Sequence, residues 1–195
     1  MGFLHIYTGN GKGKTTCSVG VAVRALGAGL PVKFVQFDKG YDGTNEHYNE
    51  RKILRSLPGL ELQPFGLERM MPDGRFRFQN ESGDFEEARA AMTAARRAIK
   101  SFQPVPADAE TGSGPTGLVV LDEIVTCAGT KLLSQEDVVA LAADYRASRA
   151  GCDLIMTGRG AWPELLEMAD LVTEMTLVKH YWYEHKTPPR AGVDF

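Results

Sequence analysis

The chain has no block of like charge, no long apolar run and no cysteine pattern, and each absence narrows what it can be. A formal net charge of −3 leaves no bulk positive field to displace counterions, which argues against nucleic acid as the main partner. No apolar stretch approaches the ~18 residues needed to cross a bilayer, and no charged-then-apolar leader opens the sequence. A cytoplasmic protein without membrane attachment is expected. Cys17, Cys127 and Cys152 lie far apart and form neither a disulfide framework nor a zinc spacing. Small buried thiols in a reducing compartment are the plainer reading. His5, His47, His180 and His185 are scattered, and none pairs with an evident nucleophile. At 195 residues and 43% hydrophobic content, the chain reads as one domain, residues 1–195, with room for a substantial core.

What the chain does have is glycine placed where chemistry can use it. Thr8-Gly9-Asn10-Gly11-Lys12-Gly13-Lys14-Thr15-Thr16 follows the apolar run Phe3-Leu4-His5-Ile6-Tyr7 and opens a nearly uncharged segment over residues 17–30. Strand, glycine-rich turn, then helix is the setting of a phosphate-binding loop. The first amide groups of a helix lack partners within it, glycines let them curl around an anion, and the helix dipole adds positive charge. Lys14 would lie along the phosphate chain and the Thr15 hydroxyl would hold Mg²⁺. One departure stands out: Thr8 occupies the place where the usual pattern has its first glycine, so the loop is effectively shortened. Such a loop grips phosphates without having to hold a γ-phosphate as ordinary NTPases do, and nucleotide binding is a firmer inference than hydrolysis.

Elsewhere short apolar runs alternate with helical patterns. Strands are expected at 3–8, 32–37, 60–65, 118–121, 152–156 and 171–175, with Pro64 marking a strand end or a sheet edge. Helices are expected at 14–28, 46–57, 85–102, after Ser134 and at 163–168. The first carries only Arg24 as a charge beyond Lys14 and should be covered on most sides. The clearest sets Phe85, Ala88, Met92, Ala95, Ile99 and Phe102 on one stripe. Residues 104–117, rich in proline and glycine, read as a flexible surface insert, and 178–183 as an extended tail. Strands alternating with helices imply an α/β fold whose mostly parallel sheet is covered on both faces. In such sheets ligands sit at the carboxyl ends of the strands, where Gly9 to Thr16, Asp38 to Gly43, Asp122-Glu123 and Thr157 to Gly160 all fall.

Asp122 and Glu123, after Leu118-Val119-Val120-Leu121, look like carboxylates aimed at Mg²⁺, which takes one or two carboxylates plus phosphate oxygens. Which of the two touches the metal stays open. Arg159, between two glycines, either binds phosphate or carboxylate in bidentate fashion or is a solvated loop arginine. The basic and aromatic stretch Arg69, Arg75, Phe76, Arg77, Phe78 is either a lid or second-substrate wall, or a surface loop with two phenylalanines tucked into the core.

These residues resemble the ATP:corrinoid adenosyltransferases of vitamin B12 biosynthesis and salvage, of the P-loop, RecA-like type with three layers. The loop from Tyr7 to Thr16 is similar to that family's shortened phosphate loop. Val35-Gln36-Phe37 with Lys39-Gly40, Val120-Leu121-Asp122-Glu123-Ile124 and Thr157-Gly158-Arg159-Gly160 follow in order. So do Ala169-Asp170-Leu171-Val172-Thr173-Glu174-Met175, Val178-Lys179-His180 and Gly192-Val193-Asp194-Phe195. Two stretches depart: the 104–117 insert is long, and 66–80 matches loosely. The chain begins close to its first strand, so an N-terminal segment capping the site is expected to be absent.

The resemblance implies that Co(I) of a reduced corrinoid attacks the ribose 5′ carbon of ATP, forming a Co–C bond and releasing triphosphate. It implies an ATP that lies reversed relative to other P-loop proteins, held by Gly9 to Thr16 and Arg159. It implies Mg²⁺ at Thr15, Asp122 and Glu123, with Lys14, Thr15 and Glu123 as the catalytic set. On the corrinoid side, an aromatic that displaces the lower cobalt ligand is expected at Phe76, with Phe78 second. An electron donor such as a flavoprotein and a homodimeric assembly are further implications. The substrate supplies the nucleophile, which accounts for the missing dyads. A P-loop small-molecule kinase or ATPase, or a non-enzymatic nucleotide or corrinoid carrier, are the other readings of the same residues.

Overall fold

The computed structural model describes residues 2–41, 43–44, 46–71, 76–104 and 114–194. In chain order the elements are β1 Leu4–Thr8, α1 Lys14–Gly27, β2 Val32–Gln36, α2 Glu50–Leu54, β3 Leu60–Pro64, α3 Ser82–Lys100 and β4 Gly117–Asp122. They continue with α4 Ile124–Gly129, α5 Gln135–Ser148, β5 Cys152–Thr157, α6 Pro163–Glu167, β6 Leu171–Glu174 and α7 Tyr181–His185. The strands form one parallel sheet in the order β3-β2-β4-β5-β1-β6.

Because side chains alternate along a strand, each central strand feeds two cores. Val35, Val119, Leu121, Leu154 and Met156 face α3, α4, α5 and α6. Phe34, Leu118, Val120 and Ile155 face α1 and α2. The result is the expected three-layer architecture. Pro64 closes β3 at the sheet edge, where a missing ladder donor is tolerated. Cys127 and Cys152 are buried and all three cysteines are unpaired thiols.

Several expectations change in detail. α1 is covered along one stripe only, Lys14, Ser18, Ala22 and Ala25, while Val23 is 51% exposed. Its lack of charge reflects small residues rather than burial. The helix foreseen at 46–57 shrinks to Glu50–Leu54. The tail is not extended: the His180 ring nitrogen accepts the Trp182 amide at 3.1 Å and caps α7. Three consecutive aromatics read as strand-like by propensity, and the cap overrides them. α4 follows β4 after a single residue, too short and abrupt for a periodic signal. Of the insert foreseen at 104–117, residues 105–113 lie outside those described; Pro104 bridges to Ala150 and Gly117 already belongs to β4.

Gly117 sits where α3 ends against the sheet, and a Cβ there would lie 1.9 Å from the Phe102 ring. Gly117→Ala should therefore cost about 1–3 kcal/mol by overpacking, measured by urea denaturation. Adding Phe102→Leu should recover part of the loss; strictly additive losses would show that the ring is not the obstacle.

Candidate functional site

The parallel sheet brings the segments after β1, β2, β4 and β5 to one edge, although they are far apart in the chain. At that edge the glycine-rich loop wraps the start of α1. Gly9 and Gly13 have φ of 94° and 121°, which disfavour any side chain. The Gly11 amide donates to the Met175 carbonyl at 2.6 Å, and a Cβ on Gly9 or Gly11 would come within 2.5 or 2.6 Å of that oxygen. Half of the loop is thus bound to the chain leaving β6, and its glycines are needed for close backbone approach. Thr8, at the place of the absent glycine, is the last residue of β1, and its carbonyl accepts the Met175 amide at 2.9 Å. The amides at the start of α1 remain to face an anion. Lys14 Nζ donates to the Gly9 and Gly11 carbonyls, each at 2.8 Å. Burial lowers its ammonium pKa, with Glu123 and Asp122 opposing and Arg159 adding to the effect.

Beneath the loop lies Asp122, fully buried at the end of β4. Its Oδ1 accepts from Thr15 Oγ1 at 3.0 Å and Thr157 Oγ1 at 2.8 Å. Its Oδ2 accepts from Lys39 Nζ at 2.6 Å and Gln36 Nε2 at 3.2 Å. All four lone-pair positions of the carboxylate are taken. Burial alone would raise the Asp122 pKa, but the Lys39 charge and these bonds outweigh it and hold the carboxyl low. Lys39 Nζ also donates to Thr15 Oγ1 at 2.9 Å. Arg51, completely buried, donates through Nε to Gln36 Oε1 at 2.6 Å, donates to the Lys39 carbonyl and stacks 4.5 Å over Tyr48.

Glu123 turns away from its neighbour because its backbone is left-handed, φ 66°. Its amide donates to Thr157 Oγ1 at 2.9 Å, and Thr126 Oγ1 donates to its carboxylate while accepting the Arg159 amide at 3.0 Å. Glu123 and the exposed Arg159 line a cavity of about 1100 Å³ together with Asn10 to Thr16, Lys39 and Tyr48. Gly9 lies behind its wall and Asp122 beneath it. The far side is the C-terminal segment, including Tyr181, Trp182 and Asp194. Lys12 Nζ donates to the Val193 carbonyl at 2.7 Å and pairs with Asp194 at 2.9 Å, so the tail closes on the loop.

Phe76 and Phe78 do not line this cavity. They are 46% and 86% exposed, packed edge to face at 5.0 Å, which rules out the core-tucked alternative. Phe76 pairs with Met70 in an isolated antiparallel bridge, and both Met70 and Met71 are exposed. Arg69 fixes this segment to Asp38 at 2.7 Å, and Arg77 grips Asp84 bidentately at 2.5 and 2.9 Å. Arg75 lies outside the described residues. Among the described residues no cluster of three His, Cys, Asp or Glu could hold a metal. Sequence reasoning placed Asp38 to Gly43 at the ligand edge and matched Gln36 and Lys39 to the family, but gave no role to Gln36, Lys39, Tyr48 or Arg51. The available signal was a glutamine closing a strand that is apolar apart from Lys33. The C-terminal residues Gly192 to Asp194 matched the family pattern, but nothing local placed them against Lys12, a contact that spans nearly the whole chain.

A glycine-rich loop between a parallel strand and a helix, with a buried aspartate on a nearby strand end gripping the loop threonine, defines a P-loop protein. The family is more specific than the class. A profile of the ATP:corrinoid adenosyltransferases BtuR/CobO/CobP matches residues 1–195. A corrinoid adenosyltransferase of Pseudomonas aeruginosa is 34% identical over 195 residues, covering 100% of this chain and 84% of the relative. One from Escherichia coli K12 is 32% identical over 196 residues, covering 100% and 86%, and the corrinoid adenosyltransferase CobA of Salmonella typhimurium is also 32% identical, over 194 residues with the same coverage. The chain belongs to the ATP:corrinoid adenosyltransferase family, whose activity is the ATP-dependent adenosylation of corrinoids in cobalamin synthesis.

Asp84 anchors the Phe76 segment to α3, and its pKa is lowered first by the Arg77 hydrogen bonds, against its burial. Its stabilisation is complete above the ordinary aspartate range near ~4 and is lost as pH falls through the lower folded value. Asp84→Asn should cost about 1.5–3 kcal/mol at pH 7. The gap to wild type, read from urea midpoints, should narrow toward pH 3; a constant gap would mean that charge plays no part.

Proposed function

We propose that ATP binds with its phosphate chain at the start of α1 and its ribose 5′ carbon turned toward a reduced corrinoid. The observation that carries this reading is one continuous cavity running from the phosphate loop to the aromatic C-terminal wall. At about 1100 Å³ it has ample room for ATP. Co(I) of the corrinoid substrate donates an electron pair to the 5′ carbon. The Co–C bond forms as the C–O bond breaks, and triphosphate leaves with the bonding pair. The chain has to orient the two partners and stabilise the departing charge.

Lys14, held by two loop carbonyls, is placed to turn its ammonium to the triphosphate, where the helix-start amides converge. Glu123 and the remaining lone pair of Thr15 Oγ1 suit Mg²⁺, while Asp122, with every lone pair engaged, suits orienting Thr15 rather than touching the ion. Mg²⁺ bound there supplies charge neutralisation for the leaving triphosphate. Arg159 offers a further cation at the rim. Phe76, supported by Phe78, is the aromatic that replaces the lower cobalt ligand. Its exposure beside Met70, on a segment tied to Asp38 just beyond β2, favours that use. A flavoprotein donor of the electron, a homodimer, a cytoplasmic setting and a single-domain organisation complete the reading.

Protein supplied with ATP, Mg²⁺ and chemically reduced cobalamin or cobinamide should yield a light-sensitive adenosylated corrinoid and triphosphate. ADP and phosphate without a Co–C product would make it a kinase or ATPase instead. Lys14→Ala should lower turnover by about 10²–10³-fold, the scale of losing one charge-stabilising donor; near-normal turnover would remove Lys14 from the mechanism. Phe76→Ala should slow the reaction started from Co(II) more than that from Co(I), and equal slowing would shift the role to another aromatic.

A further inference from the structure

We propose that the Lys39 ammonium is a tethered cation filling the inner half of the metal seat, so that a divalent ion enters only together with phosphate oxygens. This rests on reading the cavity as a Mg²⁺–nucleotide site. In P-loop NTPases the ion is held between the loop hydroxyl and the buried aspartate. Here that position carries nitrogen: Nζ lies 2.9 Å from Thr15 Oγ1 and 2.6 Å from Asp122 Oδ2. Mg²⁺ needs oxygens at about 2.0–2.1 Å, so an ion bound directly to both would overlap the ammonium.

Lys39 is not a surface lysine free to retreat. Its amide donates to the Phe65 carbonyl at 2.9 Å, and its own carbonyl accepts from buried Arg51. A Cβ on the next residue, Gly40, would lie 2.3 Å from the Gly66 carbonyl oxygen, so the backbone beyond β2 is clamped against the chain leaving β3. The Tyr48 ring stands 5.4 Å from Nζ on the remaining side.

The charge balance points the same way. Lys39 neutralises Asp122, which leaves an incoming ion Glu123 and one hydroxyl, too few ligands for a small hard cation that favours phosphate partners. Thr15 is meanwhile fixed with its proton toward Asp122 and a lone pair toward the cavity. Lys39 is on this account a positioning residue: it sets the order of assembly and the orientation of the loop hydroxyl.

The probe is Mn²⁺, followed by water-proton relaxation with and without tripolyphosphate. Wild-type protein should bind Mn²⁺ weakly alone and at least about tenfold more tightly with tripolyphosphate present. Lys39→Met should gain tight Mn²⁺ binding without any phosphate compound, and adding Asp122→Asn should abolish the gain. Equal phosphate-free affinity in wild type and Lys39→Met would overturn the proposal. Should Lys39→Met fail to fold, the wild-type protein decides: tight phosphate-free Mn²⁺ binding that Asp122→Asn removes would overturn it, and its absence would support it. A tripolyphosphate that changes nothing would count against the phosphate site itself, while the phosphate-free measurements still decide the place of Lys39.

Discussion

A carboxylate shut away from water must find every hydrogen-bond donor inside the protein, and Asp122 finds four. An uncompensated charge in that position would cost several kcal/mol, so the donors cannot be incidental. They come from the helix after β1, from the end of β2 and just beyond it, and from the end of β5. One buried atom pair therefore fixes the spacing of the segments that carry the phosphate loop, Lys39 and Thr157. Gln36 extends this polar lattice to Arg51, and Arg51 to Tyr48 and the backbone of Lys39.

The same edge stores backbone strain. Asp38 and Glu123, the residues leaving β2 and β4, both have positive φ, 50° and 66°. A left-handed non-glycine residue costs roughly 1–2 kcal/mol, and two at one sheet edge persist because tertiary contacts hold them. The turn at Glu123 separates two adjacent acids into different surroundings, one under the loop and saturated, the other in the cavity. The turn at Asp38 brings its carboxylate to Arg69 and starts the clamped Lys39-Gly40 segment. Neighbours in the chain are divided between buried support and the cavity wall by a single torsion each.

Much of this was legible in the chain itself. Alternating apolar strands and one strong helical stripe gave the layers, and the glycine-rich run gave the loop, because both depend on local patterns. The late first glycine was visible too, though its cause was not. Thr8 is still strand, and Gly11 is drawn to a carbonyl more than 160 residues away. The buried roles of Lys39 and Arg51 were invisible for a related reason: a charged residue beside a loop usually faces water, and only the fold shows these two buried. The tail was misread because three aromatics favour a strand until a histidine cap is in place. Long-range pairing is the common thread in what sequence patterns could not reach.

β6 is the outermost strand on its side of the sheet, and all four of its residues are exposed. The chain leaving that strand also supplies the Met175 carbonyl that shapes the glycine turn. The glycine-rich loop is thus hinged on the least buttressed rail of the scaffold. A nudge to that rim would be felt at the glycine loop without passing through either core.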